Sequence, residues 1–260
     1  MLYTDQIGHQ FELSSTPKRI ISLVPSQTEL LFHLGLDDDV VGITKFCIHP
    51  KEWFNSKNRV GGTKTINIEK IIALKPDFII ANKEENTEIE VKELQKMYPV
   101  YTSDISNLSE SLQMIQQIGE IISKENESKK MIENIQSQFN GLAPFSEKKN
   151  KVLYLIWKDP YMSVNHHTFI SDMLKKAGFH NVIEDENVYP VVSEEQITEL
   201  NPDFIFLSSE PYPFKEKHLK AVQKQFIKSK IVLVDGEYFS WYGSRLLDTP
   251  TYLIDFIDEI

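Results

Sequence analysis

The sequence has a single cysteine among 260 residues, so no disulfide within the chain can form and no cysteine-rich zinc site exists. It has no run of about 18 apolar residues, which excludes an ordinary membrane-spanning helix. Glycine and proline number only 10 and 12, which excludes collagen-like and low-complexity classes. Excess positive charge is also missing, since 28 Lys and Arg stand against 38 Asp and Glu. The net charge of −10 offers no general attraction to nucleic acid, nor to anionic lipid outside local patches.

The first residues lack the pattern of a signal peptide, which is a basic segment followed by an apolar one. They also lack a cysteine that could be lipidated. For the sequence as written we expect a cytoplasmic protein. A periplasmic or envelope-associated protein is the alternative if a leader has been removed.

The sequence contains an internal repeat. Residues 69–82 and residues 195–208 share the pattern E-x-I-x-x-L-x-P-D-F-I. In each copy apolar residues recur at helical spacing until Pro76 or Pro202, which cannot continue a helix. A short continuous apolar run follows each proline and is typical of a strand buried on both faces of a parallel sheet. The repeat therefore predicts two similar α/β lobes.

A strand and a helix come before each copy of the repeat. In the first half, the apolar run at 19–24 predicts the strand. The helix after it is expected to begin with Ser26 as N-cap and with Glu29 completing a capping box. In the second half, the strand is expected at 152–157 and the helix at 168–177.

We therefore predict an α/β fold with two Rossmann-like lobes, each built on a parallel sheet, at residues 1–107 and 143–260. A ligand cleft is expected between the lobes. Residues 108–142 carry apolar side chains at helical spacing and no strand signal. They are expected to connect the lobes as a long backbone helix, either continuous or divided into two abutting helices. Residues 1–17 are expected to form a small hairpin ahead of the first lobe.

This arrangement resembles the periplasmic-binding-protein family with a helical backbone, which comprises the substrate receptors of ABC importers for cobalamin, ferric siderophores and haem. The stretch RIISLVPSQTELLFHLGL is similar to the family's opening strand, turn and helix. Both copies of the repeat and the stretch DPYMSVNHHTFISDMLKKAGFHNV are similar to later parts of the family. The resemblance covers the chain from about residue 18 to its end, and it is greatest to the vitamin B12-binding branch.

The candidate ligand contacts lie in the loops after the predicted strands, because ligands of open parallel sheets bind beyond the carboxyl ends of the strands. These loops are rich in aromatic residues, which suit a large, flat, partly apolar ligand such as a corrin or porphyrin. Loop aromatics also pack against their own lobe in many proteins. For residues 240–245 we favour the ligand, because two adjacent aromatics followed by Gly and Arg in a loop are hard to bury together, so this loop is expected to be exposed. The predicted ligand-binding residues are Phe46, His49, Lys64, Lys83, Glu84, Glu85, Trp157, Lys158, Met162, Tyr189, Trp241, Tyr242 and Arg245.

The resemblance implies that Met162, Tyr189 and Trp241 line the pocket and that Arg245 matches a pocket arginine of the B12 branch. Other aromatic positions of B12 receptors are occupied differently here, by Phe46, Thr63 and Asn82. These replacements and the charged residues of the loops leave a corrinoid precursor or another chelate open as the ligand.

No catalytic residue and no intrinsic cofactor are predicted, since the sequence has no G-x-S-x-G, H-E-x-x-H or P-loop motif. Cys47 and His49 are weak metal candidates, because thiol and imidazole groups bind zinc and iron. The alternative is a packed thiol beside a surface histidine. A metal is best expected inside a corrinoid or iron chelate, with His49 as an axial contact.

We therefore expect a monomeric substrate-binding protein of an ABC-type importer, which binds a corrinoid or related metal chelate without converting it. The resemblance implies that Glu69 and Glu195, which are equivalent in the repeat, dock on a permease dimer. Favourable placement at helix N-termini is the alternative explanation for both acids. We expect no nucleic acid partner and no direct insertion into a membrane. The rival function is a cytosolic sensor, storage or chelatase-like protein for tetrapyrroles or metal chelates with the same fold.

Overall fold

The computed structural model describes residues 1–142, 150–184 and 186–260 of the chain. The chain forms two compact units. Unit 1 consists of Met1–Ile105, Ser109–Asn134 and Tyr242–Arg245, and unit 2 consists of Ser106–Leu108, Ile135–Trp241 and Leu246–Ile260. Each unit has its own parallel sheet, so the predicted α/β fold with two lobes is confirmed. The predicted start of the second lobe, at 143, lies outside the described residues, and the lobe limits stay a prediction.

Unit 1 contains a small hairpin and a five-stranded parallel sheet. Its strands are β1 (Leu2–Thr4), β2 (Gln10–Glu12), β3 (Ile20–Ser22), β4 (Val40–Ile43), β5 (Asn58–Arg59), β6 (Phe78–Asn82) and β7 (Val100–Ser103). Its first helices are α1 (Pro25–His33), α2 (Lys51–Ser56), α3 (Ile68–Leu74) and α4 (Glu88–Gln95). The strands β1 and β2 pair antiparallel, which confirms the predicted hairpin. The sheet order is β5-β4-β3-β6-β7, with β3 at the centre.

Residues 108–142 form two helices, which is the second of the two alternatives predicted for this segment. They are α5 (Leu108–Ile121) and α6 (Glu125–Phe139), followed by a 3₁₀ turn at 140–142. The chain changes direction at Ser123, whose φ of 57° lies in the left-handed region. A side chain on Gly119 would overlap Ser128 of α6, so the close approach of the two helices requires glycine in α5.

Unit 2 contains a second sheet, in which β8 occupies the position that β3 has in unit 1. Its strands are β8 (Asn150–Trp157), β9 (Met162–Ser163), β10 (Phe179–Asn181), β11 (Phe204–Ser208) and β12 (Lys230–Val234). Its helices are α7 (Phe169–Lys176), α8 (Glu194–Leu200), α9 (Glu216–Gln225), α10 (Glu237–Ser240) and α11 (Thr249–Glu259). The parallel order is β10-β8-β11-β12, and β9 pairs antiparallel with β8. Among the described residues, no helix is long and apolar enough to cross a membrane.

Helix α1 begins earlier than the sequence predicted. It starts at Pro25, after Val24 as N-cap, and no side chain caps it. Proline suits the first helical position because its φ is already helical and its missing N–H would have no partner there. The predicted capping box is therefore wrong. Ser26 is buried inside the helix, and the Glu29 carboxylate accepts a hydrogen bond from Arg245.

The two copies of the repeat adopt the same local structure. The side chains of the N-cap residues Asn67 and Ser193 each accept a backbone amide from the first turn of α3 or α8. Both helices end at a left-handed residue directly before proline, at Lys75 with φ 48° and at Asn201 with φ 44°. The strands β6 and β11 follow, with almost every residue buried. The shared pattern in the sequence therefore encodes a shared helix, turn and strand.

The aspartate after each proline connects the repeat to the central strand of its sheet. The Asp77 carboxylate accepts the backbone amides of Lys18 and Arg19, at 2.7 and 2.8 Å. The Asp203 carboxylate accepts the backbone amide of Lys151 at 2.8 Å. Because the acceptor is charged, each such bond contributes more than a neutral one. The two aspartates therefore hold the beginnings of β3 and β8 beside those of β6 and β11.

We expect Asp77→Ala to lower the free energy of unfolding by about 2–3 kcal/mol, because hydrogen bonds to charged groups contribute about 1.5–3 kcal/mol each. Asp203→Ala should lower the free energy of unfolding by less, because it removes only one hydrogen bond and Asp203 is more exposed than Asp77. Urea unfolding followed by circular dichroism measures both losses. The exposed Asp38→Ala is the control and should change stability by less than about 0.5 kcal/mol. Equal effects of Asp77→Ala and Asp38→Ala would contradict the role of Asp77.

Candidate functional site

The loops at the carboxyl ends of the unit 1 strands pack against one another. Phe46, after β4, lies so close to the turn after β5 that a Cβ on Gly62 would be 3.3 Å from its ring. Lys64, in the same turn, donates from Nζ to the backbone carbonyl of Glu84 after β6. The structure thereby brings five of the predicted ligand residues to one edge of the sheet, namely Phe46, Lys64, Lys83, Glu84 and Glu85.

Buried hydrogen bonds fix the turn after β6 that carries Glu84 and Glu85. Asn82 Oδ1 accepts the backbone amides of Glu84 and Glu85, both at 2.9 Å. Asn82 Nδ2 donates to Ser103 Oγ at 3.0 Å, and Gln27 Nε2 donates to the same oxygen at 2.5 Å. The roles of Ser103 and Gln27 were not predicted from the sequence. A polar residue that closes an apolar strand, as Asn82 and Ser103 do, was the available signal.

The unit 1 surface combines an exposed aromatic ring with charged groups. Phe46 is 51% exposed, and Lys45 Nζ lies 5.0 Å from the centre of its ring. A 2.6 Å hydrogen bond to Asp104 raises the pKa of Lys83, so this lysine stays charged. Loss of solvent around the Glu85 carboxyl raises its pKa, and the Lys64 charge opposes the shift. Since the Glu85 residue as a whole is exposed, we assign it no role that requires a neutral carboxyl.

In unit 2, β9 and the segment 188–192 arrange the predicted aromatic residues. Trp157, at the end of β8, pairs with Met162 of β9, and Met162 also forms a bridge with Val191. Tyr189 lies within this segment, and both Trp157 and Tyr189 expose about two fifths of their surface, at 41% and 40%. The structure thus brings Trp157, Met162 and Tyr189 into one neighbourhood with the two large rings open to solvent.

Two polar details of unit 2 accompany these rings. Lys158 Nζ lies 2.7 Å from Asp159 Oδ2, and this hydrogen bond raises the pKa of Lys158. The Trp157 ring meets the Tyr212 ring edge-on, with 5.5 Å between the centroids. Trp157 therefore contacts an aromatic neighbour and still has 41% of its surface exposed.

Residues 240–245 do not form the exposed aromatic loop that we expected. Trp241 and Tyr242 are only 6% and 7% exposed. Trp241 Nε1 donates to Glu210 Oε1 at 2.8 Å, and this partner was not predicted from the sequence. The chain can turn here because Gly243 has a φ of 114°, at a point where a side chain would approach Leu30 within 3.3 Å. The expectation that two adjacent aromatics resist burial was therefore wrong, whereas their contact with a ligand stays a prediction.

Arg245 has an acidic partner in unit 1. Its guanidinium donates to Glu29 Oε1 at 2.7 Å, and the two side chains are only 14% and 11% exposed. A pair with so little exposure is strongly destabilising to break from one side. Arg245 therefore has a structural role within unit 1, and the ligand contact suggested for it stays a prediction.

The metal candidate Cys47 is a packed thiol. It is completely buried, and the hydroxyls of Thr28 and Thr44 lie 3.1 and 3.2 Å from its sulfur. Burial raises the pKa of the Cys47 thiol, which disfavours the thiolate that metals bind. His49 lies half-buried just before α2. In residues 1–142, 150–184 and 186–260, no group of three or more His, Cys, Asp or Glu side chains could hold a metal ion.

We expect the Cys47 thiol of the native protein to resist a disulfide reagent at pH 8 and to react fully in urea. The physical reason is twofold, since the sulfur is inaccessible and its thiolate is disfavoured. Absorbance of the released thiolate measures the reaction. An exposed cysteine introduced by Ser56→Cys in a Cys47→Ser background is the control and should react in the native protein. Rapid native reaction of Cys47, slowed by added zinc, would restore it as a metal ligand.

Glu69 and Glu195 occupy the same position, the second residue of α3 and of α8. Both side chains are exposed. Hydrogen bonds from its own backbone amide and from Ser193 lower the pKa of Glu195. Interaction with the helix N-terminus therefore accounts for part of the preference for an acid here, and docking on a permease stays a prediction.

A family comparison decides the class of protein. A sequence model of the periplasmic binding protein family matches residues 20–232. The chain belongs to the periplasmic binding protein family. The resemblance predicted from the sequence is thus confirmed, and membership identifies the chain as a solute-binding protein rather than an enzyme.

Individual relatives agree with this assignment. The chain is 28% identical over 211 residues to an uncharacterized ABC transporter substrate-binding lipoprotein, YvrC of Bacillus subtilis, covering 77% of this chain and 67% of the relative. It is 28% identical over 208 residues to the Fe(3+)-citrate-binding protein YfmC of the same organism, covering 76% and 65%. The crystal structure of the periplasmic vitamin B12 binding protein BtuF of Vibrio cholerae superposes with a TM-score of 0.79 at 25% identity, covering 94% of this chain and 98% of that one.

These comparisons bear on two further predictions. A periplasmic binding protein of the ABC type works with a permease and a small-molecule ligand, as the sequence predicted. The cytoplasmic expectation finds no support, because the similar proteins are described as a lipoprotein and as periplasmic.

Proposed function

We propose that this periplasmic binding protein captures a corrinoid or a related metal chelate outside the cytoplasm and delivers it to an ABC permease. The observation that carries the proposal is that each unit, taken by itself, has exposed rings in the loops that follow its strands. Phe46 supplies the ring in unit 1, and Trp157 and Tyr189 supply the rings in unit 2. As predicted from the sequence, we propose that a single ligand contacts the loops of both units.

The chemistry of these loops favours a flat ligand that carries acidic groups. Exposed aromatic rings stack on a macrocycle or on an aromatic chelator, and each ring loses little conformational entropy on binding. Lys45 lies over the Phe46 ring, and Lys64 and Lys83 lie in the turns that follow β5 and β6. Such ammonium groups donate hydrogen bonds to carboxylates or other acidic substituents. Corrinoids, haem and ferric chelates all combine such features. The relatives named for vitamin B12 and for ferric citrate support the same range of ligands.

Isothermal titration of the full chain with cobalamin, cobinamide, haem, ferric citrate and a ferric siderophore tests the proposal. We expect one of them to bind with a stoichiometry of one and to remain chemically unchanged. Trp157→Ala and Tyr189→Ala should each weaken that binding about fivefold, because a lost aromatic contact costs about 1 kcal/mol. Tyr3→Ala, in the N-terminal hairpin, is the matched control and should bind normally.

Two results would count against this assignment. Absence of binding to every compound would contradict the chelate class. Tight binding that is indifferent to both Trp157→Ala and Tyr189→Ala would place the ligand elsewhere on the protein. Chemical conversion of the bound compound would instead favour the chelatase-like alternative.

We further propose that Glu69 and Glu195 contact the permease. Their support is the equivalent, exposed placement at the starts of α3 and α8, which presents one acid from each unit. The double charge reversal Glu69→Lys and Glu195→Lys should abolish ligand uptake by cells while ligand affinity in solution stays unchanged. Uptake of labelled ligand and isothermal titration measure these two effects.

The matched control for docking is a double reversal at two other exposed acids in the first turns of helices. Glu52→Lys in α2 and Glu125→Lys in α6 make the same change in net charge. Uptake should survive this control. The contrary outcome is that uptake also survives reversal of Glu69 and Glu195, with only the melting temperature reduced. In that case both acids stabilise the N-termini of their helices and do not contact the permease.

A further inference from the structure

Residues 215–230 form a strongly basic region on an acidic protein. This segment covers α9 and the start of β12 and carries six lysines and one acid, Glu216, whereas the whole chain has a net charge of −10. All six lysines are exposed. They are Lys215, Lys217, Lys220, Lys224, Lys228 and Lys230. We call this region the basic face.

The helix α9 separates its lysines from its apolar residues. Lys217, Lys220 and Lys224 are spaced by three and four residues, so they lie along one side of the helix. Val222 and Phe226 are buried in the core of unit 2. The stripe of lysines consequently points away from the unit, and replacing these side chains should leave the core intact.

Within the described residues, ion pairs do not neutralise the charge of the basic face. Across the described parts of the chain, no ion pair is recorded for any of the six lysines, whereas eight other lysines do have acidic partners within 4 Å. Glu216 lies in the first turn of α9, where the helix dipole favours an acid. Charges of one sign at this density repel one another and so destabilise the free protein. A surface that carries negative charge would relieve the repulsion.

An apolar side chain is present among the lysines. Ile227, between Lys224 and Lys228, is 80% exposed, the largest exposure of any isoleucine recorded in the described residues. Lysines alone would suit any polyanion. Lysines beside an exposed aliphatic side chain suit a lipid interface in particular, since the ammonium groups reach the headgroups while the aliphatic group enters the boundary with the acyl chains.

We propose that the basic face binds peripherally to a bilayer surface rich in anionic phospholipid and orients the protein on it. Clusters of four to eight basic residues are typical of such binding, and each lysine near the surface contributes roughly equally. The whole-chain charge opposes adsorption everywhere else, so the basic face sets the orientation. This inference goes beyond solute binding and requires neither the ligand nor the permease.

Flotation of the full chain with vesicles tests the proposal. Vesicles of phosphatidylcholine with phosphatidylglycerol should carry the protein to the top of the gradient at low salt, and vesicles of phosphatidylcholine alone should not. High salt should release it, because screening shortens the reach of the lysine charges. The triple variant Lys217→Glu, Lys220→Glu and Lys224→Glu should bind roughly tenfold or more weakly.

The matched control makes the same change in net charge elsewhere. Lys51→Glu, Lys129→Glu and Lys130→Glu alter three exposed lysines of α2 and α6. This variant should keep at least most of the binding, and circular dichroism should show that both triple variants are folded. The single change Ile227→Ser should weaken binding without altering its salt dependence.

Three results would overturn the proposal. They are equal flotation with neutral and anionic vesicles, equal losses in the two triple variants, and binding to a soluble polyphosphate without any binding to the anionic vesicles. The last result would make the basic face a site for an anionic polymer. All three can be read without knowledge of the ligand, so failure here and failure of the proposed solute-binding function remain distinct.

Discussion

The hydrogen bonds between one aspartate and the beginning of the central strand organise each unit. Asp77 holds β3 beside β6 with Ile20 opposite Phe78, and Asp203 holds β8 beside β11 with Val152 opposite Phe204. All other strands of the two parallel sheets add to these central pairs. A slip of one residue would turn every side chain of a strand to the opposite face. The positions of the loops at the carboxyl ends therefore depend on these contacts at the amino ends.

The loops themselves are supported by different means in the two units. In unit 1, the amide groups of Asn82 and Gln27 converge on Ser103 and fix the turn that carries Glu84 and Glu85. In unit 2, backbone pairing of β9 with β8 and with Val191 positions the exposed rings. In both units, hydrogen bonds therefore fix the backbone that carries the charged and aromatic side chains of these loops. A preformed surface of this kind binds with a smaller entropy cost than a loop that must first become ordered.

The distribution of charged residues over the surface determines which partners the protein attracts more than its net charge does. A net charge of −10 suggests a chain repelled by every anionic surface. Six exposed lysines in residues 215–230 nevertheless create a local region of the opposite sign. Interactions between exposed charges fade beyond a Debye length of about 8 Å at physiological salt, so distant acids do not cancel such a region. Binding partners consequently respond to the face that they meet and not to the whole molecule.

The amino-acid sequence was sufficient to predict the features that local physics controls. The repeated E-x-I-x-x-L-x-P-D-F-I pattern, the continuous apolar strands and the helical periodicity of residues 108–142 each report backbone preferences of a few neighbouring residues. They predicted the two parallel sheets and the equivalence of Glu69 and Glu195. The grouping of Phe46 with the turns after β5 and β6 followed from the rule for carboxyl ends of parallel strands.

Tertiary structure alone decided which of these residues are accessible. Trp241 is buried with its indole N–H donating to Glu210. Arg245 donates to Glu29, which lies more than two hundred residues away in the chain. Cys47 is completely buried, with the hydroxyls of Thr28 and Thr44 beside its sulfur. Burial depends on partners brought together by the whole fold, and no window of neighbouring residues contains that information. Composition and spacing therefore revealed the kinds of side chain in the loops, whereas long-range packing determined which of them solvent and ligands can reach.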